Sequence, residues 1–257
     1  MDLNYRTIAT DNPGCPLILM HGLFGSASNL QIVARRLSED MPVVLPDLRN
    51  HGRSPHDADV SYATMGQDIL RLMDKLQCQQ SNLLGHSMGG KVAMWLALNY
   101  PDRINHLIIA DISPVRYPNR FGVIFNAMQT LQLETLASRK QADEHLAEQG
   151  IASTIRSYLL QNLVHQNGVW RWRINLQGLF DGISTILDFP KTSAEFAKPV
   201  LFLRGEKSDY VAPEYEAAVY QYFPMAEISV IEGVGHWLYA EKPEEFSSQV
   251  KAFLPNH

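Results

Sequence analysis

The chain has 257 residues, of which 46% are hydrophobic and 19% charged, a composition that excludes intrinsic disorder, collagen and coiled coils. Because 22 Lys+Arg stand against 27 Asp+Glu, the net charge is −5, and no overall basic field would attract nucleic acid or anionic lipid. The sequence shows no secretory signal, no apolar stretch of membrane-spanning length and no cysteine spacing typical of metal sites or disulfide frameworks. We therefore expect a soluble, cytoplasmic, globular protein, monomeric by default, without nucleic-acid or membrane partners.

Short apolar runs alternate with helical patterns from the first run at 17–20 up to residue 111. The runs lie at 17–20, 43–46, 82–84 and 107–110, and unbroken runs of this length are typical of strands buried on both faces of a parallel sheet. Apolar residues at helical spacing fall between the runs, at Leu30, Val33, Ala34 and Leu37, then at Met65, Ile69, Leu72, Met73 and Leu76, and from Met88 to Asn99. This alternation predicts βαβ units, and it resumes with strands at 200–203 and 227–231 and a helix at 243–253.

The segment 112–190 has no strand pattern and indicates several helices. Because it is too long for a loop, we predict a helical cap over one edge of the sheet, inserted into a core domain made of residues 1–111 and 191–257. The cap carries seven basic and six acidic residues, whereas the rest of the chain carries fifteen and twenty-one. Arg171, Trp172 and Arg173 could therefore bind an anionic group such as the phosphates of an acyl-CoA, or could simply form a solvated helix face.

Residues 85–89 (GHSMG) place a G-x-S-x-G pattern between a predicted strand and a predicted helix. Small residues on both sides allow a very tight turn that exposes the Ser87 hydroxyl, and the next N–H, of Met88, begins a helix, where a developing anion is favoured. The pattern therefore indicates a nucleophile, although a Gly/Ser turn without chemistry would look similar.

Of nine histidines, His236 is the strongest candidate for the base that would accept the proton of Ser87. It follows the predicted strand 227–231 and a glycine-containing loop, and it lies C-terminal to the serine. We expect His51 to pack near the site, and most of the other histidines to have packing or surface roles.

Four motifs in this order, at 21–26 (HGLFGS), 47–54 (DLRNHGRS), 85–90 (GHSMGG) and 233–237 (GVGHW), resemble those of the α/β-hydrolase superfamily. The resemblance spans nearly the whole chain, and within the superfamily it is strongest to the bacterial YbfF-type esterases. It implies an open, mostly parallel sheet of eight strands flanked by helices, with the cap after the sixth strand, rather than a barrel.

The acidic partner of the histidine is ambiguous in the sequence. The superfamily usually supplies it three residues beyond the glycine at 205, but Ser208 occupies that position and Asp209 comes one residue late. The other location in the superfamily is the end of the strand 107–110, where Asp111 stands, and YbfF-type esterases look similar in using it. We favour Asp111 over Asp209, and we expect Ser208 to add a hydrogen bond to His236.

The resemblance implies that His21 shapes the loop after its strand. It also implies two backbone donors for an oxyanion, the N–H of Met88 and that of Leu23, with Phe24 as the alternative to Leu23. We expect Phe24 and Trp237 to contact the substrate. The predicted function is a serine esterase or thioesterase that hydrolyses carboxylic esters or thioesters of small molecules, acyl-CoA among them, with the acyl-chain length left open. It would act through a Ser-His-Asp triad and an acyl-enzyme, without a metal or organic cofactor. A lyase or C–C bond hydrolase on the same scaffold, or a non-catalytic ligand-binding protein, are the alternatives.

Overall fold

A computed structural model describes residues 1–8 and 15–254. Its main sheet contains seven strands, namely β1 (Tyr5–Ile8), β2 (Leu17–Met20), β3 (Val43–Pro46), β4 (Ser81–His86), β5 (Ile104–Ala110), β8 (Val200–Gly205) and β9 (Ala226–Ile231). The strand order is β1-β3-β2-β4-β5-β8-β9, with β1 antiparallel to β3 and the other pairs parallel. The mostly parallel α/β fold is confirmed. The sheet has seven strands in the described part of the chain, not the expected eight, and residues 112–190 follow the fifth of them and not the sixth.

Eleven α-helices accompany the strands in the described ranges. They are α1 (Gln31–Leu37), α2 (Tyr62–Lys75), α3 (Met88–Asn99), α4 (Gly122–Thr130), α5 (Arg139–Glu148), α6 (Ser153–Leu159), α7 (Leu176–Asp181), α8 (Ile183–Leu187), α9 (Glu216–Tyr222), α10 (Leu238–Glu241) and α11 (Pro243–Phe253). None of the helices in residues 1–8 and 15–254 is long and apolar enough to cross a membrane.

Successive side chains of a strand point to opposite faces of the sheet, and both faces are buried by helices. In β2, Leu17 and Leu19 join one apolar cluster, which α1 and α11 complete, whereas Ile18 and Met20 join the cluster formed with α2 and α3. Unbroken apolar runs are therefore what this layering requires, and the strand predictions from them are confirmed.

The segment between β5 and β8 contains the helices α4 to α8 and also a two-stranded hairpin, β6 (Leu163–Gln166) and β7 (Val169–Trp172). The expectation of helices alone is wrong here. Asn167 and Gly168 form the connecting turn with φ of 54° and 81°, and Asn-Gly with two positive φ values is the favoured two-residue hairpin turn. Arg171 and Trp172 consequently lie on a strand and not on a helix face.

Lys91 of α3 connects this segment to the core. Its side chain is buried, and its ammonium group donates to the carbonyl oxygens of Val115, Leu187 and Asp188 at 2.8, 2.9 and 2.9 Å. Val115 lies just after β5 and the other two lie at the end of α8, so a single side chain holds both ends of the segment against α3.

Candidate active site

Ser87 occupies a strained turn between β4 and α3. Its φ and ψ are 54° and −119°, a conformation that side-chain-bearing residues adopt only where the surroundings enforce it, and its N–H donates to the carbonyl of Ala110 at 3.0 Å. A Cβ on Gly85 would lie 2.2 Å from the Gly89 carbonyl oxygen, and one on Gly89 would lie 2.4 Å from that of Met20. Glycine is therefore required on both sides of the serine, as the G-x-S-x-G pattern predicts.

Asp111 and His236 meet directly. His236 Nδ1 lies 2.7 Å from Asp111 Oδ2, and the Asp111 side chain is fully buried at the end of β5. Asp111 Oδ1 accepts from the N–H of Gly205 at 3.1 Å, and Oδ2 also accepts from the Ser208 hydroxyl. The buried carboxylate is thus surrounded by donors, which offsets the cost of removing its charge from water.

The structure brings Asp111 to His236 and places Asp209 elsewhere. The Asp209 side chain is 59% exposed and forms an ion pair with Arg120. Ser208 lies beside the site as expected, but its hydroxyl donates to Asp111 and not to His236, so the expected Ser208–His236 hydrogen bond is wrong. One position in this loop therefore separates a side chain that contacts the buried carboxylate from one that points to solvent.

Ser87 and His236 line the same cavity, which has a volume of about 210 Å³ and is here named the inner cavity. No hydrogen bond joins the Ser87 hydroxyl to another group in the described part of the chain, and such contacts in ligand-free sites often shorten only when substrate binds. The lining is mainly apolar and comprises Gly22, Leu23, Phe24, His86, Ser87, Arg120, Phe121, Ile124, Ile155, Tyr158, Leu159, Tyr210, His236 and Trp237.

His86 holds the loop that carries His236, a role that the sequence analysis missed. Its Nε2–H donates to the main-chain carbonyl of His236 at 2.8 Å, and the two ring centroids are 4.6 Å apart. Its Nδ1 has no partner among the described residues. Burial holds the pKa of His86 well below its usual value, so this imidazole is neutral and its hydrogen-bond direction is fixed.

The loop from His21 to Gly25, here named the 21–25 loop, is closed by two hydrogen bonds to one carbonyl and leaves the Leu23 N–H without an acceptor among the described residues. The Gly22 carbonyl accepts from His21 Nδ1 at 2.8 Å and from the Gly25 N–H at 3.0 Å. In a trans peptide the N–H points opposite to the carbonyl, so the Leu23 N–H is directed away from these donors. It donates to no group in residues 1–8 and 15–254.

The next peptide unit of the 21–25 loop is fixed at both ends. The Phe24 N–H donates to His51 Nε2 at 3.2 Å, and the Leu23 carbonyl accepts from the Tyr158 hydroxyl at 3.1 Å. The Phe24 carbonyl accepts from Asn162 Nδ2 at 2.7 Å. Because the Phe24 N–H is occupied, Leu23 and not Phe24 has the backbone donor that remains available.

Two buried histidines below the 21–25 loop are neutral. Burial lowers the pKa of His51 to about 3, and it also lowers the pKa of His21. The Nδ1–H of His51 donates to the Arg49 carbonyl, and that of His21 donates to the Gly22 carbonyl. The Nε2 atom of each ring accepts a hydrogen bond from a main-chain N–H. The expectation that His21 shapes its loop agrees with these contacts, and the role of His51 as acceptor for Phe24 could not be read from the motif.

The remaining predicted site residues fall into two groups. Phe24 and Trp237 line the inner cavity with Leu23, whereas Met88 is buried at the first position of α3 and is not part of the lining. Arg171 and Arg173 are also not part of it. In the described ranges, no group of three His, Cys, Asp or Glu side chains is arranged to hold a metal ion.

Comparison with known proteins agrees with this architecture. The family model described as alpha/beta hydrolase fold matches residues 16–243. The chain is 36% identical to the esterase YbfF of Escherichia coli over 99% of both proteins, and 39% identical to the sn-1-specific diacylglycerol lipase ABHD11 of Xenopus tropicalis over 99% of this chain and 82% of the relative. A solved marine microorganism esterase superposes with a TM-score of 0.95 at 34% identity, over 98% of this chain and 99% of that one. The resemblance seen in the four motifs is confirmed, and the chain belongs to the α/β-hydrolase fold family.

Proposed function

We propose that this chain is a serine esterase that hydrolyses carboxylic esters through an acyl-enzyme on Ser87, with His236 as base and Asp111 as its orienting carboxylate. The observation that carries the proposal is the 2.7 Å contact between Asp111 and Nδ1 of a histidine that lines the same cavity as Ser87. A buried carboxylate keeps Nδ1 protonated, which leaves Nε2 as the acceptor. Relatives that carry the names esterase and lipase support the same enzyme class, a carboxylic ester hydrolase.

In the acylation step, His236 Nε2 takes the hydroxyl proton as Ser87 Oγ bonds to the acyl carbon. The π electrons of the ester carbonyl move onto its oxygen, and the N–H groups of Leu23 and Met88 donate to the resulting anion. Each such donor typically contributes about 3 kcal/mol to the stability of the transition state. The protonated imidazole then gives its proton to the alcohol oxygen as the bond between that oxygen and the acyl carbon breaks.

Deacylation repeats the sequence with water. His236 Nε2 takes a proton from the water molecule as its oxygen bonds to the acyl carbon, and the returning proton reaches Ser87 Oγ as the acid leaves. Asp111 stabilises the imidazolium in both halves of the reaction. Ser208 is a positioning residue, because its hydroxyl contacts the carboxylate and not the histidine.

The inner cavity favours a short acyl group. Its volume is about 210 Å³, which we propose suits a chain of a few carbons. The side chains of Phe24, Phe121 and Ile124 provide an apolar wall for such a chain.

Thioesters fit the same chemistry, since a thiolate can leave in place of an alkoxide. Acyl-CoA in particular requires cationic partners for its phosphates. Arg120 lines the inner cavity but is paired with Asp209, and Arg171 and Arg173 do not line it. The described residues therefore favour esters over acyl-CoA as substrates.

We also propose that residues 112–190 act as a cap domain on a core formed by 1–111 and 191–257. Support comes from the lining of the inner cavity, to which the segment contributes side chains between Arg120 and Leu159. The acyl preference would then be set mainly by this segment, and the chemistry by the core.

Labelling with a fluorophosphonate probe tests the function. We expect the wild type to be labelled and to hydrolyse p-nitrophenyl butyrate faster than the octanoate, and Ser87→Ala to lose both labelling and turnover. Ser193→Ala, at an exposed loop serine, is the matched control and should behave as the wild type. Labelling that persists in Ser87→Ala would contradict the assignment of the nucleophile.

A further inference from the structure

The 21–25 loop contains a tight turn with an aromatic residue at a position that usually takes glycine. The Gly25 N–H donates to the Gly22 carbonyl at 3.0 Å, which closes a four-residue turn, and Phe24 is its third residue with φ of 61°. A positive φ at this position of a turn favours glycine, because a side chain there is crowded by the following carbonyl. The surroundings of Phe24 must therefore hold it in this conformation.

Asn162 belongs to the segment 112–190, here named the inserted segment, and is one of the groups that hold Phe24. It is 3% exposed, and its Nδ2 donates to the Phe24 carbonyl at 2.7 Å. Asn162 is itself fixed, since Nδ2 also donates to the Leu159 carbonyl at 3.3 Å. In addition, the Asn162 carbonyl accepts from the Arg173 N–H at 2.8 Å, which connects it to the end of the hairpin.

The Phe24 ring also packs against side chains of the inserted segment. Its centroid is 5.2 Å from that of Phe125 in α4 and 6.0 Å from that of Phe121, both in edge-to-face arrangements. These apolar contacts hold the ring but do not orient a peptide group. The hydrogen bond from Asn162, by contrast, acts directly on the peptide group between Phe24 and Gly25.

Two hydrogen bonds connect the Asn162 amide to the backbone donor of Leu23. The Phe24 carbonyl accepts from Asn162 and belongs to the same peptide group as the Gly25 N–H. That N–H donates to the Gly22 carbonyl, whose peptide group carries the Leu23 N–H. Because a peptide group is planar and rigid, fixing one end of it fixes the direction of the other. The orientation of the Leu23 N–H therefore depends on a side chain of the inserted segment.

We propose that Asn162 is a positioning residue for the oxyanion: it keeps Phe24 in its left-handed conformation and thereby directs the Leu23 N–H towards the developing charge. The proposal rests on the proposed function, which assigns that N–H to the oxyanion. Without the Nδ2 donor, we expect Phe24 to relax towards a negative φ and the turn that ends at Gly25 to open. The Leu23 N–H would then no longer be fixed, so the inserted segment contributes to the chemical step as well as to the lining of the inner cavity.

The first test uses ethyl butyrate and ethyl thionobutyrate, in which sulfur replaces the carbonyl oxygen. Sulfur is a weak hydrogen-bond acceptor, so an N–H donor stabilises the transition state of the ester far more than that of the thionoester. Asn162→Leu keeps a side chain of similar size but removes the donor. We expect it to lower kcat/KM for the ester about tenfold and to leave that for the thionoester within about a factor of two. KM for the ester should change little, because the interaction forms only in the transition state.

Gln161→Leu is the matched control for this test. Gln161 is exposed beside Asn162, and its amide oxygen accepts from Asn29 Nδ2 at 2.8 Å. No hydrogen bond joins its side chain to Phe24 or Leu23 among the described residues, so both rates should equal those of the wild type.

Two outcomes of the first test would overturn the positioning role. One is an unchanged rate with the ester in Asn162→Leu. The other is an equal loss with ester and thionoester, because a general disturbance of Ser87 and His236 affects both substrates alike. If the leucine variant does not fold, Asn162→Ser takes its place, since the shorter hydroxyl side chain would not reach the Phe24 carbonyl.

The second test changes the strained residue itself. Glycine adopts a positive φ without steric cost, so in Phe24→Gly the turn depends less on a contact that enforces it. In this background, Asn162→Leu should lower the ratio of ester to thionoester kcat/KM less than about twofold, compared with at least about fivefold in the wild-type background. Equal falls in both backgrounds would show that Asn162 does not act through the conformation of Phe24, and would overturn the proposal.

Failure of this inference is distinguishable from failure of the proposed function. If Ser87 is labelled and ethyl butyrate is hydrolysed while Asn162→Leu leaves the ratio unchanged, the serine esterase stands and the positioning role is wrong. If Ser87 of the wild type is not labelled, the proposed function is wrong and the positioning role falls with it.

Discussion

The floor of the site, which is the part of the core around Ser87, Asp111 and His236, and the proposed cap of residues 112–190 differ in the side chains that they present to the inner cavity. In the floor, polar side chains are buried and bonded to main-chain groups: Asp111 accepts from Gly205, His51 from Phe24, and His86 donates to His236. The cap faces the inner cavity mostly with apolar side chains such as Phe121 and Ile124. Its polar contacts to the core lie mainly at its edges, for example from Tyr158 to the Leu23 carbonyl and from Asn162 to the Phe24 carbonyl.

This difference indicates that the floor orients the reacting groups, whereas the proposed cap shapes the space for the substrate. Buried hydrogen bonds fix direction, because a misaligned buried donor or acceptor costs free energy that an exposed one does not. Apolar contacts are less directional, so the shape of the cap can change while the reacting groups remain in place. Mutations in the floor should therefore reduce turnover, whereas mutations in the cap should mainly change substrate choice or stability.

The largest effect is expected for Asp111→Asn in the floor. The amide would no longer hold His236 in the required tautomer, so kcat should fall roughly 10³- to 10⁴-fold. Asp209→Asn removes only an exposed ion pair with Arg120 and should change kcat less than about threefold. Steady-state kinetics on p-nitrophenyl butyrate decide the matter, and the reverse ranking would transfer the role to Asp209.

A smaller loss is expected for His86→Leu. Without the Nε2–H donor the loop with His236 would shift, and displacement of a reacting group by about 1 Å can cost up to ~100-fold in rate. We expect kcat to fall ten- to a hundredfold by this reasoning with little change in KM. His86→Gln retains a donor and should restore part of the rate, so equal losses in the two variants would argue for a packing role instead.

Tyr158→Phe tests one of the contacts between cap and floor. It removes the hydroxyl that donates to the Leu23 carbonyl but keeps the ring against Trp237. Loss of one hydrogen bond of about 1 kcal/mol should lower kcat roughly fivefold. Tyr220→Phe, at an exposed ring of α9, provides the control. A change in KM alone would show that Tyr158 does not position the oxyanion donor.

The smallest effect on turnover is expected for Lys91, whose influence should appear in the pH dependence of stability. Burial lowers the pKa of Lys91 from 10.5 to about 7. Between these values the unfolded chain binds more protons than the folded one, so this group makes the free energy of unfolding rise with pH above about 7. Urea unfolding from pH 7 to 9 should show a steeper rise for the wild type than for Lys91→Met, and parallel curves would contradict the shifted pKa.

The sequence was sufficient to predict those features that local sterics and the order of the motifs determine. Ser87 and its two glycines form a turn whose geometry only small flanking residues permit, and Asp111 ends a strand whose apolar run is plain. The hairpin was also readable, since Asn167 and Gly168 are a strong turn signal, but the segment showed no strand pattern and was therefore interpreted as helices alone.

Other features depend on partners far apart in the chain. The choice of Leu23 over Phe24 as the available donor follows from contacts with His51, 27 positions from Phe24, and Tyr158, 135 positions from Leu23. No pattern within either segment specifies such pairings. Likewise, the Met88 side chain is buried and does not line the inner cavity, because its orientation depends on how α3 packs against the sheet.

The three carbonyl groups around Lys91 have a consequence for the evolution of this fold. Because both ends of the inserted segment converge on one ammonium group, the core closes the loop whatever lies between the ends. Doubling the length of a closed loop costs only about 0.6 kcal/mol of chain entropy. Insertions or deletions between these ends therefore cost little chain entropy, so the length of this stretch can change in evolution while the residues around Ser87 stay in place.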